Sequence, residues 1–230
     1  MDIGIVTSFY NGYDRFIPRW VNSVCSQTVK PSKIVLVASG KVEDIKNLKY
    51  AEKLLKESRI PYIISKIAVH KSMGNARNRA VRICNTEWIM YLDADDTILP
   101  DGIQNITKYE DRADVICTGL RHVGELRHKE ILYLHASKER VLNGEYCSCS
   151  HSPFRKKFWK QNPYIEYNDY VEQILWIGLA QAGARFKGTK EICTVYHRRK
   201  NGHNKTMTKK QWKECRFQKS RFLKNGVVHK

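Results

Sequence analysis

The sequence predicts an α/β protein with a mainly parallel sheet flanked by helices, because short apolar runs alternate with helical patterns through residues 1–100. The apolar runs are continuous, which is typical of strands buried on both faces of a parallel sheet. Polar clusters follow these runs, as expected where strands end. The predicted strands lie at 3–9, 34–37, 60–66 and 88–92, and the predicted helices at 14–30, 42–58 and 73–84.

The first elements have clear boundaries. Residues 3–9 are short, apolar and rich in β-branched side chains, and the Asn-Gly pair at 11–12 interrupts them. In the helix that follows, Pro18 lies near the start, where a missing N–H does no harm, and Pro31 ends the pattern. The next strands and helices repeat this alternation with amphipathic, charged helices between buried strands.

After residue 100 the pattern changes, and we expect antiparallel strands to extend the sheet. Residues 169–182 carry apolar side chains on one helical face, which predicts a helix. The other predicted elements are a strand at 114–119, a hairpin at 121–133, a loop at 143–153, a last strand at 191–196 and a basic helix at 207–224.

The composition supports one substantial core and a strongly basic surface. The chain has 230 residues, of which 42% are hydrophobic, and 41 Lys and Arg stand against 23 Asp and Glu, a net charge of +18. The last 33 residues alone hold 12 Lys and Arg and one acid. Such a surface attracts polyanions: nucleic acid, an anionic lipid surface or an anionic glycopolymer. The alternative is charge that only keeps the protein in solution.

No apolar run approaches the length of a membrane span, and the N-terminus lacks the basic start of a signal peptide. We therefore expect a cytoplasmic protein, located in the host cytoplasm if a phage encodes it. The seven cysteines are scattered among apolar neighbours, which favours reduced thiols over disulfides. The spacing Cys147-x-Cys149-x-His151 is poor for tetrahedral zinc.

Three carboxylates, Asp93, Asp95 and Asp96, directly follow the apolar strand at 88–92. Carboxylates favour hard cations such as Mg²⁺ or Mn²⁺, which commonly bridge to phosphates. The alternative is a capped turn, with Asp96 before a helix that starts near Pro100.

Four polar clusters are predicted to share one crevice with these carboxylates, because ligands of parallel sheets bind beyond the carboxyl ends of the strands. The clusters are residues 7–11, 38–40, 70–78 and 93–96.

In order along the chain, several motifs resemble those of the family 2 glycosyltransferases, which have the GT-A fold and transfer a sugar from a nucleotide-sugar. The match extends over roughly residues 1–205. The matching stretches are Val6-Thr7-Ser8-Phe9-Tyr10-Asn11, Asn22 to Thr28, Lys33 to Val37, Gly74 to Asn78, Tyr91 to Asp96, Tyr167 to Gly183 and Val195 to Arg199.

The resemblance implies a GT-A domain at 1–197, and the charge pattern of the last residues predicts a basic C-terminal helical extension at 198–230. Within the domain, residues 1–100 would form the nucleotide-sugar-binding half and residues 101–197 the acceptor-binding half. It also implies a metal-dependent hexosyltransferase that uses a nucleotide-diphosphate sugar, with UDP-sugar as the expected donor.

By the same resemblance, Asp95 is the direct ligand of Mn²⁺ or Mg²⁺, and His197 is a further contact to the metal or diphosphate. Asp93 would contact the ribose or the metal. The remaining residues expected to bind the nucleotide-sugar are Thr7, Phe9, Tyr10, Asn11, Ser39, Lys71, Asn75, Arg77 and Ala94. Asn75 and Asn78 are each expected either to bind the ribose or to cap their helix. Alternatives for His197 and Lys71 are ordinary exposed basic side chains.

The sequence departs from the family pattern at two places. Ala38 and Ser39 stand where the family usually carries two aspartates, one of which accepts a hydrogen bond from uracil, so either Ser39 or backbone groups substitute or the base differs. Asn168 stands where the family often has Glu, while Asp169 keeps its place.

Asp169 is the expected general base, which would accept the proton of the acceptor hydroxyl. One base acting on one face implies single displacement with inversion. The competing interpretation is a helix cap, since Asp is favourable near a helix N-terminus. Trp176 would line the acceptor site or belong to the core.

The basic extension interleaves aromatic and cationic side chains, which suits a phosphate backbone with stacked bases or an anionic membrane surface. The expected polyanion-binding residues are Arg198, Arg199, Lys200, Lys209, Lys210, Trp212 and Lys213. The favoured hypothesis is therefore a glycosyltransferase acting on a polyanionic acceptor such as hydroxymethylated DNA bases, because a compact DNA-modifying transferase of the phage type would have this charge. The alternatives are an enzyme acting on a cell-surface or lipid-linked saccharide, with peripheral contact to an anionic membrane, and a non-catalytic nucleic-acid-binding protein on a GT-A scaffold.

Overall fold

The computed structural model describes residues 1–10, 12–39, 46–68, 71–124, 128–167, 171–198 and 219–225. It is a mixed α/β structure built around one curled sheet. Most of the extension predicted at 198–230 lies outside these residues.

The first half of the sheet contains four parallel strands in the order β3-β2-β1-β4. The strands are β1 (Ile3–Tyr10), β2 (Lys33–Ser39), β3 (Tyr62–Ile67) and β4 (Trp88–Tyr91). The helices between them are α1 (Ile17–Cys25), α2 (Lys46–Ser58) and α3 (Met73–Ile83), and a short 3₁₀ turn, Asp14–Phe16, precedes α1. This confirms the strand–helix alternation predicted from the sequence.

The second half adds mixed pairings. The elements are β5 (Thr97–Ile98), α4 (Gly102–Thr107), β6 (Val115–Val123), β7 (Lys129–Ile131), α5 (Lys138–Leu142), β8 (Phe154–Arg155), α6 (Lys156–Gln161), α7 (Val171–Gln181) and β9 (Phe186–His197). Strand β8 joins β4 to β6 with antiparallel pairing, while β6 and β9 run parallel. Strand β5 pairs antiparallel with β9, so the turn after β4 lies against the end of the last strand.

Several features of this half differ from the sequence prediction, including the short helices α5 and α6, which were not predicted. The last strand was expected at 191–196 but spans Phe186–His197, because β6 pairs with both ends of it across irregularities near Cys117 and Gly119. Strands β5 and β8 were not predicted, since two residues are too few to show a period.

The core lies on both faces of the sheet. Ile3 and Ile5 of β1 pack against α1 on one face, and Val6 belongs to the cluster with α3 and α7 on the other. Burial of both faces explains why the strand sequences are continuously apolar. Among the described residues, no helix has the length and apolar character needed to span a membrane.

Candidate active site

The three carboxylates lie in a turn between β4 and β5 that is held by hydrogen bonds to β1 and α1. The Leu92 N–H donates to the Val6 carbonyl at 3.0 Å, and the Trp20 indole N–H donates to the Leu92 carbonyl at 3.1 Å. Within the turn, the Asp96 N–H donates to the Asp93 carbonyl at 3.0 Å. The side chain of Arg19 donates to the Asp95 carbonyl. The local order of this turn therefore comes from β1 and α1 as well as from its own backbone.

Arg77, on α3, connects two carboxylates from opposite halves of the chain. Its Nη2 lies 2.9 Å from Asp93 Oδ1, and its Nη1 lies 3.1 Å from Glu172 Oε2 on α7. The guanidinium also packs over the rings of Tyr91 and Tyr164, at 4.5 and 5.6 Å from their centroids. Burial alone would lower the pKa of Arg77, but the charges of Asp93 and Glu172 outweigh it and raise the pKa well above its ordinary value.

His151 adds a second basic group that sequence reasoning missed. Its Nε2 lies 3.0 Å from Asp96 Oδ2 and 3.3 Å from Asp93 Oδ2, and its Nδ1 lies 3.2 Å from Thr194 Oγ1 on β9. The imidazole is fully buried. Burial alone would lower the pKa of His151, yet the two carboxylates raise it well above its ordinary value. The only sequence signal was a histidine in the predicted loop at 143–153.

The pKa values of Asp93, which is about one quarter exposed, and of Asp96, which is buried, are shifted in opposite directions. Burial would raise the pKa of Asp93, but the charges of Arg77 and His151 outweigh it and hold that pKa below its ordinary value. For Asp96, burial dominates the contact with His151 and raises the pKa. Asp93 is therefore the more strongly ionised partner of His151.

Asp93, Asp96 and His151 also satisfy a geometric condition for holding a metal ion. Each offers one ligand atom, and the three atoms lie within 4.8 Å of one another. Asp96 Oδ2 and His151 Nε2 are buried, and neither makes an aligned hydrogen bond within the described ranges. Carboxylate and imidazole suit Mn²⁺, so the donor types fit a divalent cation.

The predicted metal ligands Asp95 and His197 lie beside this group. The pairing of Thr97 with Val195 brings the ends of the carboxylate turn and of β9 together. The His197 N–H donates to Asp96 Oδ1 at 2.8 Å, and His197 Nε2 lies 3.1 Å from Thr97 Oγ1. Burial and the nearby charge of Arg19 lower the pKa of His197, which favours the neutral imidazole that a metal requires.

The predicted nucleotide-binding residues of β1 and β2 divide into buried and exposed positions. Thr7 is buried, its Oγ1 has no hydrogen-bond partner among the residues that the structure describes, and Phe9 belongs to the core. Tyr10 is exposed, and Ser39 lies opposite it at the ends of the two strands. Tyr10 and Ser39 are therefore at the edge where the sequence predicted the nucleotide.

The predicted residues of α3 have mixed environments. Asn75 Nδ2 donates to Glu166 Oε1 at 2.9 Å, and Lys71 is exposed. Asn78 is buried and holds the backbone of Tyr164, donating to its carbonyl and accepting from its N–H, each at 2.8 Å. Asn78 therefore holds the backbone of Tyr164 in place and does not cap its helix.

The remaining predicted residues lie elsewhere or outside the described part of the chain. Ala94 is buried in the turn, and Trp176 packs edge-on against Phe154 in the core, at a centroid distance of 5.9 Å. The Arg198 N–H donates to the Val123 carbonyl at 2.8 Å. The predicted residues outside the described ranges are Asn11, Asp169, Arg199, Lys200, Lys209, Lys210, Trp212 and Lys213.

Glu172 is a second residue that sequence reasoning missed. It follows Asp169 by three residues on the predicted helix at 169–182, so a signal was present in the helical spacing. Its partner on α3 could not be read from the sequence, because the two residues are 95 positions apart.

Comparison with known proteins identifies the family. The sequence model of "Glycosyl transferase family 2" matches residues 4–167, more than half of the chain, and the chain therefore belongs to this family. An uncharacterised glycosyltransferase of Methanocaldococcus jannaschii is 31% identical over 119 residues, covering 49% of this chain and 39% of that protein. Chondroitin synthase of Escherichia coli is 24% identical over 218 residues, covering 90% of this chain and 30% of that protein. The chain thus spans well under half the length of these two relatives.

A shorter relative is covered more completely. UDP-Glc:alpha-D-GlcNAc-diphosphoundecaprenol beta-1,3-glucosyltransferase of Escherichia coli is 26% identical over 201 residues, which cover 84% of this chain and 76% of that enzyme.

Solved structures confirm the GT-A fold. S. aureus TarS 1–349 in complex with UDP-GlcNAc superposes with a TM-score of 0.77 at 15% identity, covering 100% of this chain and 68% of that chain. The mannosyltransferase PcManGT from Pyrobaculum calidifontis, in complex with GDP-Man and Mn²⁺, gives a TM-score of 0.66 at 14% identity. That match covers 99% of this chain and 66% of the mannosyltransferase.

Proposed function

We propose that the chain transfers a sugar, with inversion, from a UDP-sugar to a hydroxyl group of a saccharide acceptor. The observation that carries this proposal is the group formed by Arg77, Asp93 and Glu172, in which residues from both halves of a family 2 chain meet at one sheet edge. The relatives support it, since one is named as a UDP-glucose-dependent transferase and a structural neighbour was solved with UDP-GlcNAc.

On the donor side, the chain must bind and orient a diphosphate beside a crowded set of carboxylates. A divalent cation, when bound, would neutralise the diphosphate leaving group and act as a Lewis acid. Asp95 and His197 are the proposed ligands, because both are partly exposed at the edge of the turn. The group of Asp93, Asp96 and His151 is the alternative set.

On the acceptor side, a base must accept the proton of the attacking hydroxyl. Glu172 is a poor candidate, because its carboxylate already pairs with Arg77. Asp169, which lies just before α7 in the sequence, is the proposed base. With a single base and no covalent intermediate, the transferred sugar would invert its anomeric configuration.

A saccharide is favoured as the acceptor over a modified DNA base. The curated relatives include a chondroitin synthase, a transferase acting on a diphosphoundecaprenol-linked sugar and an O-antigen biosynthesis glycosyltransferase. The second candidate acceptor is a polyanion such as hydroxymethylated DNA. The observation in its favour is the concentration of 12 Lys and Arg in the last 33 residues.

The test is acceptor-dependent nucleotide release from a panel of UDP- and GDP-sugars with Mn²⁺. A diphosphate-lipid-linked saccharide is compared with hydroxymethylated and unmodified DNA. We expect release to rise with the saccharide, to fall strongly in Asp169→Asn and to be unchanged in Asp111→Asn, an exposed acid in the turn after α4. Stimulation by hydroxymethylated DNA alone would replace the proposed acceptor, and no release with any donor would favour a non-catalytic binding protein.

A further inference from the structure

We propose that His151 is a positioning residue that holds the carboxylate turn and the end of β9 in the arrangement needed to bind a metal–nucleotide complex. The inference rests on the proposed function. It assigns to His151 a role that acts through Asp96 and not through contact with the substrate.

Three separate segments of the chain meet at the imidazole of His151. His151 lies in the segment between α5 and β8, and its Nε2 faces Asp93 and Asp96 in the turn after β4. Its other nitrogen faces Thr194 on β9 at 3.2 Å. Because the ring is fully buried, a change at this residue cannot be compensated by water without opening the core.

The carboxylate of Asp96 links His151 to the predicted ligand His197. One carboxylate oxygen of Asp96 lies 3.0 Å from the His151 ring, and the other accepts the backbone N–H of His197 at 2.8 Å. The position of the His197 backbone therefore depends on how Asp96 is oriented. Since Asp95 precedes Asp96 directly, the same contact also restrains the backbone at Asp95.

A role as metal ligand fits His151 less well. A Mg²⁺ or Mn²⁺ ion that acts on a diphosphate keeps positions open for waters and phosphate oxygens. His151 is 0% exposed and Asp96 is 1% exposed, and the second oxygen of Asp93 is engaged by Arg77. Asp95 and His197 are partly exposed, so the ion would be accessible to the donor there. Mutation of a residue that hydrogen-bonds to a metal ligand without contacting the metal commonly changes the metal affinity.

The experiment measures binding of Mn²⁺ and UDP to the full chain by calorimetry, without turnover. His151→Gln keeps an amide of similar reach but removes the basic ring, and His135→Gln is the matched control at an exposed histidine. We expect His151→Gln to weaken Mn²⁺–UDP binding about tenfold while the ion still binds. We expect Asp95→Asn to abolish ion binding and His135→Gln to change nothing.

The opposite pattern would overturn the inference. If His151→Gln abolished ion binding while Asp95→Asn left it intact, His151 would be a ligand. If His151→Gln bound Mn²⁺–UDP as the wild type does, it would have no positioning role. Failure of the wild-type chain to bind Mn²⁺–UDP would instead overturn the proposed function, and this inference with it.

A double variant distinguishes loss of positioning from loss of folding. In Asp96→Asn with His151→Gln, the ionic contact is replaced by two amides that can still hydrogen-bond, and the side chain at 96 can still accept the His197 N–H. We expect the double variant to recover part of the affinity that His151→Gln loses, because a neutral amide at position 96 no longer leaves a buried carboxylate without a basic partner. Additive losses in this double-mutant cycle would contradict the proposal.

Discussion

At the scale of single residues, the site depends on how a few buried charges are compensated. Arg77 is almost fully buried and is shared between Asp93 and Glu172, which are each about one quarter exposed. Removal of one partner of a buried ion pair leaves the other charge uncompensated, which costs far more than the intact pair contributes. Arg77 therefore contributes to folding and to the shape of the proposed donor site.

We expect Arg77→Met to lower the free energy of unfolding by about 3 kcal/mol, because Glu172 loses the cation that it pairs with and Asp93 keeps only His151. The measurement is urea denaturation, and the matched control is Arg79→Met, an exposed arginine on the same helix that should change stability by less than about 0.5 kcal/mol. Equal stability losses in the two variants would contradict the buried role of Arg77.

At the scale of elements, α3 positions Arg77, and its first turn explains how. The Ser72 side chain accepts the N–H of Asn75 at 3.1 Å, which caps the helix. Gly74 lies against the backbone of Ile165, so closely that a Cβ at this position would overlap the Ile165 carbonyl oxygen. The N-terminus of α3 can approach the segment before α7 only because residue 74 has no side chain.

We expect Gly74→Ala to destabilise the protein by about 2 kcal/mol and to weaken UDP binding, because the start of α3 must move away from Ile165. Thermal unfolding and UDP titration measure the two effects. Gly12→Ala is a useful comparison, since no atom of the described residues lies within 4 Å of the position that its Cβ would take, but its φ is +87°. That variant should lose about 1 kcal/mol from backbone strain alone, and a similar loss in both would argue against the close contact.

The sequence predicted the elements that repeat and missed those that depend on distant contacts. Alternation of apolar strands and helices identified β1 to β4 and α1 to α3, since both faces of these strands are buried. The strand-end pattern also predicted that Asp93 and Arg77 lie at one edge of the sheet, and in the structure their side chains are in contact. His151 could not be found this way, because its loop has no period and its partners lie more than forty residues away in the sequence.

At the scale of the whole molecule, one sheet joins the first half of the chain, residues 1–100, to the second half, residues 101–197. Strand β8 connects β4 to β6, and β5 pairs with β9, so the carboxylate turn is enclosed by residues from both halves. The net charge of +18 is a separate property of the surface and concentrates in the extension at 198–230. Such charge predicts attraction to polyanions without identifying the acceptor.

We expect the chain to be retained on DNA at low salt and to be released steeply as salt rises, because neutralised phosphates release counter-ions. In a plot of log affinity against log salt concentration, Lys209→Gln with Lys210→Gln should reduce the slope by about two if both lysines contact phosphates. Lys53→Gln with Lys56→Gln, on the exposed face of α2, is the matched control. A flat salt response would exclude DNA as a partner of the extension.

The central claim is that the edge containing Asp95 handles a metal-bound nucleotide-sugar. The most direct measurement is the rate of UDP release from a UDP-sugar with Mn²⁺, before and after chelation, for the wild type and Asp95→Ala. We predict release by the wild type that chelation abolishes and added Mn²⁺ restores, with a loss of at least about 100-fold in Asp95→Ala. Release that persists after chelation, or that survives in Asp95→Ala at the wild-type rate, would contradict the account.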